Sequence, residues 1–286
     1  MCAGVGKRGK GCYTEAMRKL DTGKAPKQSR SKRSPLVTAL LCLLACGMAF
    51  CAYQVGSILL ERSRGRELNR EMKQFITFRP AAPATEEDPE PAGPTLSVDF
   101  DALQQKNADI CAWIAFPDTE INYPVVQGGD NAYYLSRTAS GDKNSCGAIF
   151  VDAVNARDFS NAKTIVYGHR MNNGSMFAGL LKYRDAAYFA AHPYGLLATP
   201  EQTYVLEVFA AGEVADDLAN YRTSFADAED FLADIRMLRG GAVQQTELTI
   251  GAEDRVIMLS TCVKGDHSKR FVVLARLVPY GDYVFA

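Results

Sequence analysis

Histidine is scarce in this chain, with three among 286 residues, and tryptophan scarcer still, with one. There is no CxxC pair and no Cys/His spacing of the kind that holds zinc. Acidic residues nowhere follow the DxDxDG spacing of a calcium loop, so no cofactor or metal is expected. The eight cysteines do not make a disulfide framework. Cys2 and Cys12 sit in a basic head, Cys42, Cys46 and Cys51 in a long apolar run, and only Cys111, Cys146 and Cys262 remain, an odd number. No internal repeat is visible. Positive charge is also missing where a nucleic acid would need it. From Pro80 onward 16 Lys/Arg face 28 Asp/Glu, which speaks against a nucleic-acid partner.

Basic residues concentrate instead at the start, where residues 1–35 hold ten Lys/Arg against Glu15 and Asp21. Between Arg33 and Glu61 lie 27 residues without a charge. At 1.5 Å per residue roughly 20 residues cross a hydrocarbon core. A cleaved signal peptide would have a shorter apolar stretch, of about 7 to 15 residues, placed nearer the first residue. An uncleaved signal-anchor is therefore expected, with the cytoplasmic membrane as partner. The charge bias across it orients the chain with its N-terminus in the cytoplasm and the rest outside. After the span, "ERSRGRELNREMKQFITF" reads as a juxtamembrane helix or stalk. Then "RPAAPATEEDPEPAGPT" carries five prolines and four acids, a composition that cannot bury a core and makes an extended spacer. The expected organisation is a basic tail over 1–35, a membrane span over 36–60, a stalk and linker over 61–94, and a folded domain over 95–286.

Inside that domain Asp99 is placed to cap a short helix with Leu103 and Ile110 facing inward. Short β-prone runs follow: "INYPVVQ", "GAIFVD", "TIVYGH", "TYVLEVFAAGEV", "RVIMLSTC" and "RFVVLARLVPY". Two helical stretches interrupt them, "MFAGLLKYRDAAYFAAH" and "ADAEDFLADIRMLRG", the second stopped by Gly240. Many short strands with few helices predict a mainly β fold, a closed barrel with peripheral helices.

Alternation along "RVIMLSTC" puts Val256, Met258, Ser260 and Cys262 on one face and Ile257, Leu259 and Thr261 on the other. Cys262 then stands at a strand end. Residues 263–269 read as a seven-residue hairpin loop, which sets Arg270 opposite Cys262. Arg276 would lie about 20 Å further along. A lone cysteine on an apolar strand is ordinarily a buried small hydrophobe. As a nucleophile it needs a base, because a thiol of pKa ~8.5 is mostly protonated at neutral pH. His169 ends the run "TIVYGH" as Cys262 ends its own, so neighbouring strands would bring the two to one rim. His267, in the hairpin loop, is the alternative base, and His192 reads as a helix-end residue.

These residues resemble the signature blocks of the class B sortases, cysteine transpeptidases of Gram-positive bacteria. The likeness rests on "LSTC" followed by Arg270 in "RFVVLARL", on "IVYGHRMNNGSMFAGLLKY", on "INYPVVQGGDNAYYL", on Trp113–Ile114 and on "HPY" at 192–194. It departs from the family pattern at Met258, where threonine is usual, and in "CGAIF", where "GSIF" is usual. The resemblance implies a sortase-like closed barrel in which Cys262 is the nucleophile, His169 the catalytic histidine and Arg270 the cation at the scissile carbonyl. It also implies a peptide groove involving Asn122, Val126, Tyr167, Ser260, Thr261 and Tyr221. The implied reaction cleaves an NPxTx-like sorting signal after Thr through a thioester and passes the protein to a cell-wall peptide amine. Its implied partners are sorting-signal-bearing secreted proteins and a peptidoglycan precursor or cross-bridge amine. A pilin-polymerising sortase is the alternative, simple proteolysis another. An inert tethered scaffold would lack one of the Cys, His and Arg groups, and all three are present.

Overall fold

The computed structural model of the chain describes residues 34–81, 93–263 and 265–285. Two compact units are distinguished, Met1–Gln54 and Val55–Ala286. The expected basic tail lies almost wholly outside the described residues. Helix α1 runs over Pro35–Met72. Its most apolar 18-residue window has a mean hydropathy of 2.2 and is 0% buried. By length and composition it is able to cross a membrane.

The second unit carries the fold. Strand β1 (Ile76–Arg79) pairs antiparallel with β2 (Thr95–Val98). Met72 is buried beside Leu96 and Leu103 in an apolar cluster that Phe75 and Phe78 join. The stretch read as a juxtamembrane helix or stalk is helical as far as Met72, and the residues after it pack on the barrel, because their scattered apolar side chains find a sheet surface to cover. Residues 82–92 of the expected spacer lie outside the described residues. Asp99 caps α2 (Phe100–Lys106), accepting a hydrogen bond from the Ala102 amide. Leu103 faces inward as expected, but Ile110 belongs to β3 (Ile110–Ala115).

Then follow β4 (Asn122–Val126), β5 (Ile149–Val151) and β6 (Lys163–Tyr167). The expected long helix is broken into a 3₁₀ stretch, Phe177–Arg184, and α3 (Ala186–Ala191). Asp185 restarts the helix by capping Tyr188 N. Then come β7 (Tyr194–Ala198), β8 (Thr203–Ala215), α4 (Ala228–Gly240), β9 (Ala242–Gln245), β10 (Arg255–Val263) and β11 (Asp266–Pro279). The seven-residue hairpin loop is a misreading: both strands continue into it, and Gly265 at φ 79° makes the tight turn.

The strand order is β11-β10-β6-β5-β4-β3-β7-β8-β9, and β11 also pairs with β8. That pairing closes eight strands into a barrel and leaves β9 outside. Closure removes the open edges an isolated sheet would present. All eight strands send alternate side chains into one interior cluster, with Ile257 and Leu259 among them. The opposite residues of β10, Val256 and Met258, face outward and are covered by Phe231, Ile235 and Leu238 of α4.

Under α4 lies a sealed ion pair. Lys163 Nζ sits 2.5 Å from Asp234 Oδ2, and both side chains have 0% exposure. Burial pushes the ammonium's pKa down, and Asp234 works against that shift. Asp234→Ala strands the charge and should cost about 3–5 kcal/mol, whereas Lys163→Met with Asp234→Leu should stay close to the parent, because a matched apolar pair removes both desolvation penalties. Urea unfolding of residues 55–286, followed by fluorescence of the buried Trp113, reads both; equal losses in the two variants would contradict this.

Candidate active site

Two parallel neighbours build the site. Strand β10 lies beside β6 with Ser260 opposite Tyr167. Beyond that pair Gly168 N donates to Ser260 O at 3.1 Å, and Thr261 Oγ1 donates to Gly168 O at 2.8 Å. The next residue on each chain is the reactive one, His169 and Cys262. On the other side of β10, Cys262 is directly opposite Arg270 in the β10–β11 ladder. Backbone pairing, which any sequence of this register would share, therefore fixes where the three groups leave the sheet. Alternation aims Ser260 and Tyr167 outward, so the site sits on the barrel's outer wall.

There a recess of about 240 Å³ is lined by Cys262, His169, Arg270, Tyr167, Ser260 and Thr261, together with Asp216 and Leu135. Six of the sequence-derived site residues thus face one space. Cys262 is partly exposed. Cys111 and Cys146 are buried and not in a disulfide, and burial pushes the Cys111 thiol up to about 12. That leaves Cys262 as the barrel thiol placed for chemistry.

His169 Nε2 lies 2.7 Å from the Leu135 carbonyl oxygen. A carbonyl only accepts, so in the neutral ring Nε2 carries the proton and Nδ1 holds the lone pair. Gly147 makes room for this ring: at φ 62°, a Cβ there would stand 2.7 Å from His169 Cδ2. Asp216, just past the end of β8, forms an ion pair with Arg270 Nη2, while Arg270 Nη1 donates to Lys269 O at 3.1 Å. Asp216 N also donates to Ser268 O at 2.8 Å, which ties its loop to β11.

Tyr167 forms part of the wall and is backed by Tyr221, which does not itself line the recess. The Tyr167 and Tyr221 rings are 5.9 Å apart and 17° from parallel. Tyr167 OH donates to Asp152 at 2.7 Å, and burial raises its pKa. Tyr221 OH is 2.8 Å from Ser260 Oγ, and burial pushes its phenol up to about 12, so it stays protonated at neutral pH. Tyr221→Phe keeps the stack but removes that bond, and should raise KM for a sorting peptide about threefold to tenfold with kcat nearly unchanged. A steady-state titration reads this, and an unaltered KM would remove Tyr221 from the groove.

Two expected groove residues stand elsewhere. Val126 is sealed at 0% exposure beneath the cluster that includes Met72 and Leu96; it has no surface to offer a peptide. Asn122 accepts a hydrogen bond from the Trp113 indole at 2.6 Å and does not line the recess. His192 lies against Tyr188 at a helix end, rings 3.8 Å apart. Arg276 pairs with Glu207. The His267 side chain lies outside the described residues. Asp216, Leu135 and Asp152 escaped sequence reasoning, since Asp216 and Asp152 act from loops with no periodic signal and Leu135 acts through its backbone carbonyl from a short 3₁₀ turn, Tyr133–Ser136.

A closed barrel with a partly exposed cysteine, a histidine and an arginine opening on one outer recess is the architecture of a cysteine acyl-transfer enzyme. Residues 114–278 match the family model for the sortase domain, and the chain belongs to the sortase family, the cysteine transpeptidases. Its likeness is to class B. It is 37% identical over 178 residues to sortase B of Listeria monocytogenes, covering 62% of this chain and 72% of that protein. A crystal structure of Bacillus anthracis sortase B superposes with a TM-score of 0.66 at 32% identity, covering 78% of this chain and 100% of that one. A Staphylococcus aureus sortase B–substrate complex gives 0.60 at 30%, covering 63% and 85%.

Proposed function

We propose that this sortase is held in the cytoplasmic membrane by α1, with its N-terminus inside and its barrel outside, and that it joins secreted proteins to the cell wall. Cys262 attacks the carbonyl after Thr in an NPxTx-like sorting signal. Cys262 passes its proton to His169 as the carbon–sulfur bond forms, the following C–N bond breaks, and His169 gives that proton to the departing amine. A peptidoglycan-peptide amine then attacks the thioester and passes a proton to His169, which returns it to the departing sulfur and so regenerates the thiol. Arg270 stabilises the negative charge that gathers on the carbonyl oxygen in both steps. Tyr167, Ser260, Thr261 and Tyr221 hold the peptide.

The observation that carries this reading is the opening of Cys262, His169 and Arg270 onto a single recess. The uncharged run in α1 and the basic residues before it support the anchor and its orientation. The test is incubation of residues 55–286 with quenched sorting peptides, with and without diamino-acid, oligoglycine or pilin-type lysine acceptors. Amine-dependent formation of a joined product, with a thioester adduct on Cys262 in the intact mass, is the expected result. Hydrolysis that no amine diverts would make the enzyme a protease instead.

A further inference from the structure

A second recess, of about 210 Å³, opens between the last turns of α1 and the barrel. Arg66, Asn69, Arg70 and Lys73 line its helix side, and Tyr123, Cys146, Ser175 and Met176 its barrel side, with Glu120 the single acid. Positions 66, 69, 70 and 73 follow the i, i+3, i+4, i+7 rule and so share one stripe of the helix. Glu67 and Glu71 fall about 100–140° round from Arg66, so the neighbouring acids do not neutralise the stripe. Among the described residues, Arg66, Arg70 and Lys73 have no ion-pair partner, whereas Arg64 on the same helix reaches Asp142. Lys73 instead stands over the Tyr123 ring, 5.9 Å from its centre. The pocket therefore presents three cations that make no ion pair against a single acid, Glu120, with the Asn69 amide and the Tyr123 hydroxyl beside them.

We infer that this recess is a binding site for a phosphate group. Its size suits a phosphate, and the fork of an arginine matches phosphate oxygens in pairs. Its height along α1 points to the supplier. The apolar run ends at Leu60, and residues 66 to 73 follow about 9 to 20 Å later along the axis, beginning just outside a headgroup layer of roughly 5 to 8 Å once the helix spans a bilayer. The long side chain of Arg66 reaches back toward that layer, so the phosphodiester of an anionic membrane lipid is the nearest supplier. This last point rests on the membrane-anchor reading, but the phosphate site does not. Nothing in the pocket belongs to the Cys262 recess.

The test uses the full chain in neutral detergent micelles, with backbone hydrogen exchange over residues 65–76, 120–123 and 175–176 as readout. Three probes are titrated separately: a phosphatidylglycerol, inorganic phosphate, and oleate as an anionic lipid without phosphate. Phosphatidylglycerol should slow exchange saturably at all three segments. Arg66→Gln with Arg70→Gln should weaken that effect roughly thirtyfold, the consequence of removing two basic residues from an anionic surface, while cleavage of sorting peptide in lipid-free micelles stays unchanged. Protection by inorganic phosphate as well would support the site and make a soluble phosphate a sufficient supplier. The inference is overturned if neither phosphate probe protects, if oleate protects as well as phosphatidylglycerol, or if the double variant keeps the parent's affinity. Failure of peptide cleavage in the parent chain would strike the proposed reaction and leave this site untouched.

Discussion

Cys262→Ala should bring turnover of a sorting peptide down to background, a loss on the order of 10⁴-fold or more, while the barrel unfolds at the parent's temperature. The two halves of this expectation have separate physical reasons. Chemistry is lost because neither of the other two thiols in Val55–Ala286 can substitute: Cys111 is sealed with its thiol pushed up to about 12, and Cys146 is buried. Stability is kept because Cys262 is partly exposed at a strand end rather than packed in the interior cluster. Deleting its sulfur opens no cavity, so the several kcal/mol that follow a core truncation do not arise. Peptide binding should survive too, since Tyr167, Ser260 and Tyr221 are untouched. The measurement is a progress curve with quenched peptide, together with intact mass after incubation. Residual processing by the alanine protein would assign the reaction to another group and end the thioester scheme.

Much of this site was readable from alternation alone. "RVIMLSTC" and "TIVYGH" each run apolar to a polar end, and a period of two fixes that Ser260 and Cys262 share a face while Thr261 takes the other. The structure has Ile257 and Leu259 inside the barrel and Val256 and Met258 under α4. Alternation does not say which strands are neighbours. The parallel β6–β10 pairing joins segments about ninety residues apart, and no local pattern encodes it. Nor does alternation reveal what lies on an outward face. Val126 faces outward yet is fully covered, because residues 72–78 and 96–103 fold over that part of the barrel. The packing of 72–79 was hidden for the same reason: its composition suits a juxtamembrane helix or stalk, and only a sheet surface elsewhere in the chain makes burying Met72 favourable. The groups that tune the reactive residues were invisible for a different cause. Leu135 acts through its carbonyl, which is independent of side-chain identity, and Asp216 acts from an irregular segment after β8.

Arg270→Lys should lower kcat by roughly a hundredfold with a much smaller change in KM, the signature of a donor used chiefly in the transition state. Charge is conserved in this substitution, so a purely long-range electrostatic role would predict almost no effect. Geometry decides otherwise. Arg270 is paired with Asp216 on one side and donates to the Lys269 carbonyl, which orients the guanidinium plane over the ladder position opposite Cys262. A planar fork can keep those partners along one edge and direct a further N–H toward the carbonyl oxygen of a bound peptide. An ammonium is a single point of charge. Beside Asp216 it is drawn from the developing oxyanion, and beside the oxyanion it leaves Asp216 without its partner. Asp216→Asn offers the complementary check. It releases the guanidinium without removing it, so kcat should fall less than in Arg270→Lys, and adding it to Arg270→Lys should cost little more, because the lysine has already lost the paired geometry. Full additivity of the two losses would show that Asp216 and Arg270 act independently. A lysine enzyme as fast as the parent would mean that the oxyanion is held by other donors.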